Sequence, residues 1–313
     1  MNPAKQPVIH LLPSKTLAAC AAALLAPALH AEPMFGPATP VAEFNTFNSE
    51  QLTDLSPDGL TAILQSNRDD INGWSRIYSS TRPTLSDPWS VPSNTDFAAT
   101  NSLSTNVGHG ILSADGLSLF YQHNPHIRLA TRATPFVPFP AGTAVTPLNI
   151  GTYERPGKLS ADGLRMYLEI FSGGNVDFYV SDRPTISDPW STPAQGPFAA
   201  NINTTFAEVE PFLTTDELQL FYGSNRTDGL GGIDIWWADR ASVSDPFSVP
   251  VNLASVNTLG SDRSPELFGD TLFFTSDRNF SFDVFSAVAV PEPGSLALLL
   301  AGSVGALVRR RRK

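Results

Sequence analysis

The sequence predicts an all-β chain, a β-propeller of five blades, on three observations: one phrase recurs five times, a strand-like run follows each copy, and no stretch shows helical periodicity. The phrase is built on Asp-Gly. It reads LSPDGL from Leu55, LSADGL from Leu112 and from Leu159, then LTTDEL from Leu213 and LFGDTL from Leu267. Its central aspartates, Asp58, Asp115, Asp162, Asp216 and Asp270, lie 57, 47, 54 and 54 residues apart. Asp-Gly between apolar runs signals a tight hairpin, because glycine accepts the positive φ that the turn requires. The runs that follow, TAILQS, SLFYQH, RMYLEI, LQLFYGS and TLFFTS, are rich in β-branched, aromatic and leucine residues. Each repeat therefore supplies several strands, starting near residues 48, 105, 152, 206 and 260, within a propeller spanning 32–288.

A second phrase follows each hairpin: RPTLSDPWSVP from Arg82, RATPFVPFP from Arg132, RPTISDPWSTP from Arg183 and RASVSDPFSVP from Arg240. Its prolines exclude a central strand, which predicts an outer edge strand entered through a turn. The aromatic of each copy, Trp89, Phe136, Trp190 or Phe247, is expected to pack against a blade. The fifth repeat lacks this phrase. A similar segment, MFGPATPVAEF, stands instead at 34–44, before the first repeat, and predicts that the N-terminal segment supplies the last blade's outer strand and closes the ring. The insertion TAVTPLNIGTYERPG, residues 143–157, is hard to place and leaves a sixth, degenerate blade within residues 130–155 as the alternative. With SNRTDGLGGIDIWWADR from Ser224, and weaker counterparts from Ser66 and Ser276, the body from about 40 to 288 resembles TolB-like propeller repeats.

Eight residues before the turn aspartate, four repeats carry an acid, Glu50, Glu154, Glu208 and Asp262, while the second carries Val107. Inner strands open each repeat, so these positions ring the axis. No residue set argues for a resident cofactor or metal, but four carboxylates at one mouth would suit Ca²⁺. The plainer expectation is that each acid accepts hydrogen bonds from a loop or pairs with Arg68, Arg226 or Arg278. For hydrolysis of a glycan, which needs two acids in unlike environments, the candidates are Glu208 and Glu210 opposed by Glu50 or Asp262. His123 and His126 in HNPH have a metal-ligand spacing without an evident third ligand. Asp69, Asp70, Asn72, Asp228 and Asp234 lie in oxygen-rich loops that Asp-Gly turns explain. G-x-S-x-G, HExxH, P-loop and dinucleotide fingerprints are all missing, which leaves the corresponding chemistries without support.

The termini carry transport information. Lys5 and Lys15 precede an apolar, alanine-rich run from Leu17 to Leu29 and small residues, the layout of a signal peptide over 1–31 cleaved after Ala28 or Ala31. LAAC up to Cys20 offers lipidation as an alternative. Cys20 is the only cysteine, so removal of the segment leaves no disulfide or thiolate chemistry. At the other end, Pro291, Glu292 and Pro293 precede a 14-residue apolar run, Ser295 to Val308, and five basic residues. That run is short against the roughly 20 residues of a full span, and its basic end marks the cytoplasmic side. Residues 289–313 resemble the PEP-CTERM sorting signals of Gram-negative bacteria. The resemblance implies a short hydrophobic sorting helix, transient insertion in the inner membrane, and processing by an exosortase after signal peptidase has acted.

Between the termini, 32–290 holds 13 basic and 29 acidic residues, a net charge near −16, with Lys158 its only lysine. Such a surface repels nucleic acid and anionic head groups. The expected function is a non-enzymatic binding module at the cell surface or in the extracellular matrix, with exopolysaccharide or an envelope protein as partner. The alternative is a secreted glycan hydrolase with carboxylates in the funnel.

Overall fold

A computed structural model describes residues 30–291, so the signal peptide up to Leu29 and the sorting segment from Glu292 onward lie outside the described residues. Within them the chain forms five antiparallel sheets in sequence. Blade one is Glu50–Leu55, Thr61–Ser66 and Arg76–Thr81; blade two is Val107–Leu112, Ser118–His123, His126–Thr131 and Thr143–Ala144. Blade three is Tyr153–Leu159, Arg165–Ser172 and Asn175–Asp182; blade four is Glu208–Leu213, Gln219–Ser224, Asp234–Asp239 and Val251–Asn252. Blade five is Asp262–Phe268, Thr271–Ser276 and Asp283–Val288, with Thr39–Pro40 as its outer strand. The sequence TAVTPLNIGTYERPG is divided between the outer strand of blade two and the inner strand of blade three, so there are five blades and no sixth.

Ring closure is formed as expected. Thr39 and Pro40 pair with Ser286 and Phe285, Gly36 N donates to Val288 O at 2.8 Å, and Phe35 bridges Ala289. Blades pack on one another through apolar layers. Phe212, Phe221, Ile235 and Trp237 of blade four, for example, meet Leu272, Phe274 and Phe285 of blade five, with Phe35 inserted between them.

The Asp-Gly turns are closed by their own side chains. Ser56 Oγ donates to Asp58 Oδ1 at 2.6 Å, and the same oxygen accepts from Leu60 N at 3.0 Å, which holds the Asp58 carboxyl below its usual range. Ser113 with Asp115, Ser160 with Asp162 and Thr214 with Asp216 repeat the pattern. Gly59, Gly116 and Gly163 take positive φ, and in the fourth copy Glu217 takes φ 60° in place of glycine.

The second phrase is not the outer strand that its position predicted. It forms a turn whose closing serine bonds back to the third strand, Ser90 N to Thr81 O at 2.8 Å for example, and strand pairing follows it as the two-residue strands Thr143–Ala144 and Val251–Asn252 or the single bridges Ser79–Ser93 and Val180–Ala194. The prolines withhold N–H groups, while Thr84 Oγ1 and Asp87 Oδ2 close the turn at 2.7 Å. Arg82 Nε donates to Gly59 O at 2.8 Å and its guanidinium lies 4.2 Å from the Trp89 ring. Arg132, Arg183 and Arg240 hold the neighbouring turns at Gly116, Gly163 and Glu217 in the same way. The ring under Arg132 is Phe139, 1% exposed, and not Phe136, which is 94% exposed. Phe139 stands seven residues after Arg132, the spacing that also separates Trp89, Trp190 and Phe247 from Arg82, Arg183 and Arg240, so the shortened phrase keeps its aromatic at the same reach from the arginine.

One device was not read from the sequence. Asn45, Asn101, Asn149, Asn203 and Asn257 each use the side-chain amide as a short substitute strand, accepting from the backbone N–H and donating to the C=O of Val284, Ile77, Ile127, Phe178 and Ile235 respectively. Each satisfies two groups on the third strand of a blade that would otherwise lie unpaired under the linker to the next blade.

Two outcomes test this account by thermal and chemical unfolding. Deleting 34–46 exposes the edge of Asp283–Val288 and is expected to lower the melting temperature and broaden the transition. Asn257→Ala strands the N–H and C=O of Ile235 and is expected to cost about 2 to 4 kcal/mol; a loss within error would show that the clamp is dispensable.

Candidate functional site in the axial channel

The five inner strands converge on the axis, and each carries a β-bulge near its middle. Register slips between Leu52 and Asp54, Gly108 and Ile111, Val209 and Phe212, and Arg263 and Glu266, and in blade three opposite Tyr167 and Leu168. A bulge re-aims side chains, and here it forces His109, Glu210 and Ser264 to φ of 47°, 56° and 52°. Non-glycine residues in this region carry strain, which persists where the surroundings over-determine it and clusters at functional sites.

The four acids foreseen as a ring lie at the mouth ends of their strands, each fully buried, but they turn into the blade junctions. Glu50 accepts from Thr46 N and Oγ1 at 2.9 and 2.7 Å and from Ser66 Oγ at 2.9 Å, with Arg68 at 3.4 Å. Glu208 is held alike by Thr204, Ser224 and Arg226, and Asp262 by Thr258 and Arg278. The three arginines also donate to Phe44 O, Ile202 O and Val256 O, each just before a clamp asparagine. Burial pushes the Glu208 carboxyl upward. Glu154, whose repeat has glycines where the others have arginine, takes Gly151 N at 2.5 Å and His126 Nδ1 at 2.7 Å. Donors thus surround these carboxylates, and among the described residues no group of three or more His, Cys, Asp or Glu could hold a metal ion. His123 pairs across the hairpin with His126 but bonds Thr105 Oγ1 instead, at 2.9 Å.

The groups that do meet on the axis lie two residues further along. At the waist, Arg263 grips Glu210 through Nε at 3.0 Å and through Nη2, Ser264 Oγ donates to Glu210 Oε2 at 2.7 Å, and Gln51 Nε2 donates to Oε1 at 2.7 Å. These donors outweigh burial and bring the Glu210 carboxyl down to about 2. Glu169 Oε1 accepts from Glu210 N at 2.7 Å and Glu169 Oε2 lies 3.3 Å from Arg155 Nη1, yet burial, helped by Glu210, still pushes Glu169 up. Burial also pushes the His109 imidazole well below its usual value, so it is neutral at pH 7. Ser264 bonds the carboxylate directly, so the serine–histidine–carboxylate order of a nucleophilic triad is not formed.

The channel is an hourglass. Above the waist a mouth of about 230 Å³ is lined by Gln51, Gln65, His109, Arg155, Arg263 and Phe282, among others. The waist, between His109, Gly157, Glu169, Glu210, Pro211 and Ser264, holds about 20 Å³, room for little more than one water. Gly157 is required there, since a Cβ would sit 2.5 Å from the Pro211 ring. Below, a pocket of about 120 Å³ has Lys158 at its roof, with Nζ 2.8 Å from Asp54 Oδ1 and 3.0 Å from Glu266 Oε2. Two carboxylates share one ammonium. Lys158 is held protonated, while burial and the neighbouring Asp54 push Glu266 up to about 8.

Of the residues foreseen, only Glu210 belongs to this constellation. The others could have been sought at a fixed offset, since His109, Glu210 and Ser264 all stand two places after the acid position, counting Val107 as its second-repeat member.

Residues 289–313 match the PEP-CTERM protein-sorting motif, which marks the chain for export. No curated protein matches the sequence. Among solved structures, a protein described as TolB from Agrobacterium tumefaciens is 15% identical with a TM-score of 0.44, covering 76% of this chain and 76% of its own. TolB from Acinetobacter baumannii is 12% identical with a TM-score of 0.44, covering 78% of this chain and 56% of its own. The α-L-arabinofuranosidase PaAbf62A from Podospora anserina is 13% identical with a TM-score of 0.51, covering 83% and 95%. At these identities the likeness is one of fold alone. No helix among the described residues is long and apolar enough to cross a membrane.

Glu266 gives the channel a pH signature. Its carboxyl ionises near 4.5 when the chain is unfolded but holds its proton to about 8 when folded. At this group the folded state binds more protons across that window, so the contribution of Glu266 to stability falls as pH rises from 4.5 to 8, opposite in sign to that of the buried His109. Glu266→Gln is expected to flatten this fall, read as the denaturant midpoint at pH 5 and pH 8; an unchanged slope would refute the assignment.

Proposed function

We propose that this exported propeller is a non-enzymatic binding module of the cell surface or extracellular matrix, taking polysaccharide or an envelope protein at the axial mouth. The sorting motif at 289–313 supports delivery through an exosortase. The observation that carries the binding reading is the hourglass: the mouth is open and rich in donors, whereas Glu169 and Glu210 sit at a waist of about 20 Å³. A sugar ring cannot pass between them.

One observation favours glycan hydrolysis as the second reading. Glu169 is pushed up and Glu210 brought down to about 2, the separation that an acid and a carboxylate partner need. Against it, each is tied to an arginine, and neither lines the mouth. Glu208 and Glu50 are closed within their loops, although Glu50 backs the wall of the mouth.

The purified protein tested against a panel of polysaccharides, for hydrolysis and for retention on the same polymers, separates the two. Retention without turnover is expected. Turnover abolished by Glu210→Gln or Glu208→Gln would replace the binding module with an enzyme.

A further inference from the structure

The mouth has an excess of hydrogen-bond donors. Arg263 spends Nε and Nη2 on Glu210, and Arg155 spends Nε on Tyr153 Oη and Nη1 on Glu169, which leaves Arg263 Nη1 and Arg155 Nη2 without an acceptor among the described residues. The His109 ring and Asn67 Nδ2 are likewise unengaged there; Asn67 uses only its oxygen, accepting from Ser49 N. Thr275 lines the same mouth, is 1% exposed, and has a buried hydroxyl with no partner. The one carboxylate in the lining, Glu50, is fully buried and already closed by Thr46, Ser66 and Arg68. Of these groups Thr275 Oγ1 alone is a buried donor left unpaired, which is costly; the arginine side chains are partly open to the mouth, where a ligand that brings acceptors can reach them.

The charges agree. Two guanidiniums face one firmly ionised carboxylate, Glu210, and one, Glu169, that burial shifts toward its neutral form, while His109 carries no charge. Two guanidiniums, each with one free Nη, can supply one donor to each oxygen of a carboxylate.

The shape sets the rest. The waist makes the mouth a blind pocket, and about 230 Å³ admits one residue of a polymer and not a run of them. Gln51 and Gln65 at the wall and Phe282, over whose ring Arg263 stands at 5.5 Å, offer amide and aromatic contacts of the kind that hydroxyls and a sugar face accept. Phe282 O accepts from Glu50 N at 2.7 Å, joining two loops on which Phe47 and Phe280 are almost fully exposed, and Phe280 is held at φ 77°. The body, with 13 basic and 29 acidic residues, repels an extended polyanion.

From the binding reading above, on which this rests, we infer that the axial mouth binds the terminal uronic-acid residue of a glycan, its carboxylate received between Arg155 and Arg263 and its ring against Phe282.

Calorimetric titration of the purified protein with trigalacturonic acid, its fully methyl-esterified form and an acidic tripeptide tests this. The acid is expected to bind at least tenfold more tightly than the ester or the peptide, with affinity falling as salt rises. Arg155→Gln should abolish the preference for the acid over the ester. Arg263→Gln alone leaves Glu210 buried without its partner, so the paired variant Arg263→Gln/Glu210→Gln is used, with circular dichroism to confirm the fold, and should weaken acid binding tenfold or more. Equal affinity for acid and ester, stronger binding of the peptide, no binding of any probe, or an unaltered preference in folded Arg155→Gln would each overturn the inference. Retention of a neutral polysaccharide would then leave the binding module standing without the uronate, whereas turnover would remove the binding module itself.

Discussion

Closure of the ring is the constraint from which the channel and everything in it follows. Five inner strands can surround an axis only if the last blade is tied to the first, and the tie is short: Phe35 to Pro40 laid along Phe285 to Ala289. The pairing covers a sheet edge that would otherwise remain open, and it places an N-terminal aromatic, Phe35, inside the layer between blades four and five. Its hydrogen bonds are few, as on every blade, where the outer pairing is a two-residue strand or a single bridge. The asparagine amides make up the difference, each standing in for a strand at the point where a linker leaves.

Closure also crowds charge. Down the axis stand Arg155 with Glu169, Arg263 with Glu210, and Lys158 with Asp54 and Glu266, every cation matched to at least one acid. A buried charge without a partner is strongly unfavourable, so the channel tolerates these groups only as pairs. The pairing is unequal from end to end. At the base one ammonium serves two carboxylates, and Glu266 keeps its proton; at the mouth guanidinium edges remain free. The bulges that aim His109, Glu210 and Ser264 inward make this arrangement possible, because a regular strand cannot take the left-handed backbone seen there.

The same chemistry is put to opposite uses two residues apart. Glu208 and Glu210 lie on one strand, yet the first is bound into the loop from Thr204 and the second reaches the axis. A regular strand would place residues i and i+2 on one face. The bulge between Val209 and Phe212 breaks that alternation, so counting along the strand could not separate a structural acid from a channel acid. In the second phrase, by contrast, the spacing was legible: Phe139 follows Arg132 by seven residues as Trp89 follows Arg82, and Phe136 was a misalignment of the shortened copy.

Composition and repetition carried much of the fold, because hairpin turns and strand runs are local and each copy repeats the same local physics: Asp58, Asp115 and Asp162 close their turns with bonds made within five residues. The missing phrase after the fifth repeat was likewise enough to indicate where the ring closes. The asparagine clamps, recurring at Asn45, Asn101, Asn149, Asn203 and Asn257, were present in the sequence but silent, since their partners lie 22 residues or more away. Which acids face the axis was decided by tertiary structure alone. Bulge geometry and the convergence of five strands bring Arg263 to Glu210, 53 positions apart, and Lys158 to Asp54 across 104. A linear pattern contains the residues of such pairs but not the distance between them, and at these separations it is distance that settles charge, hydrogen bonding and what the mouth can hold.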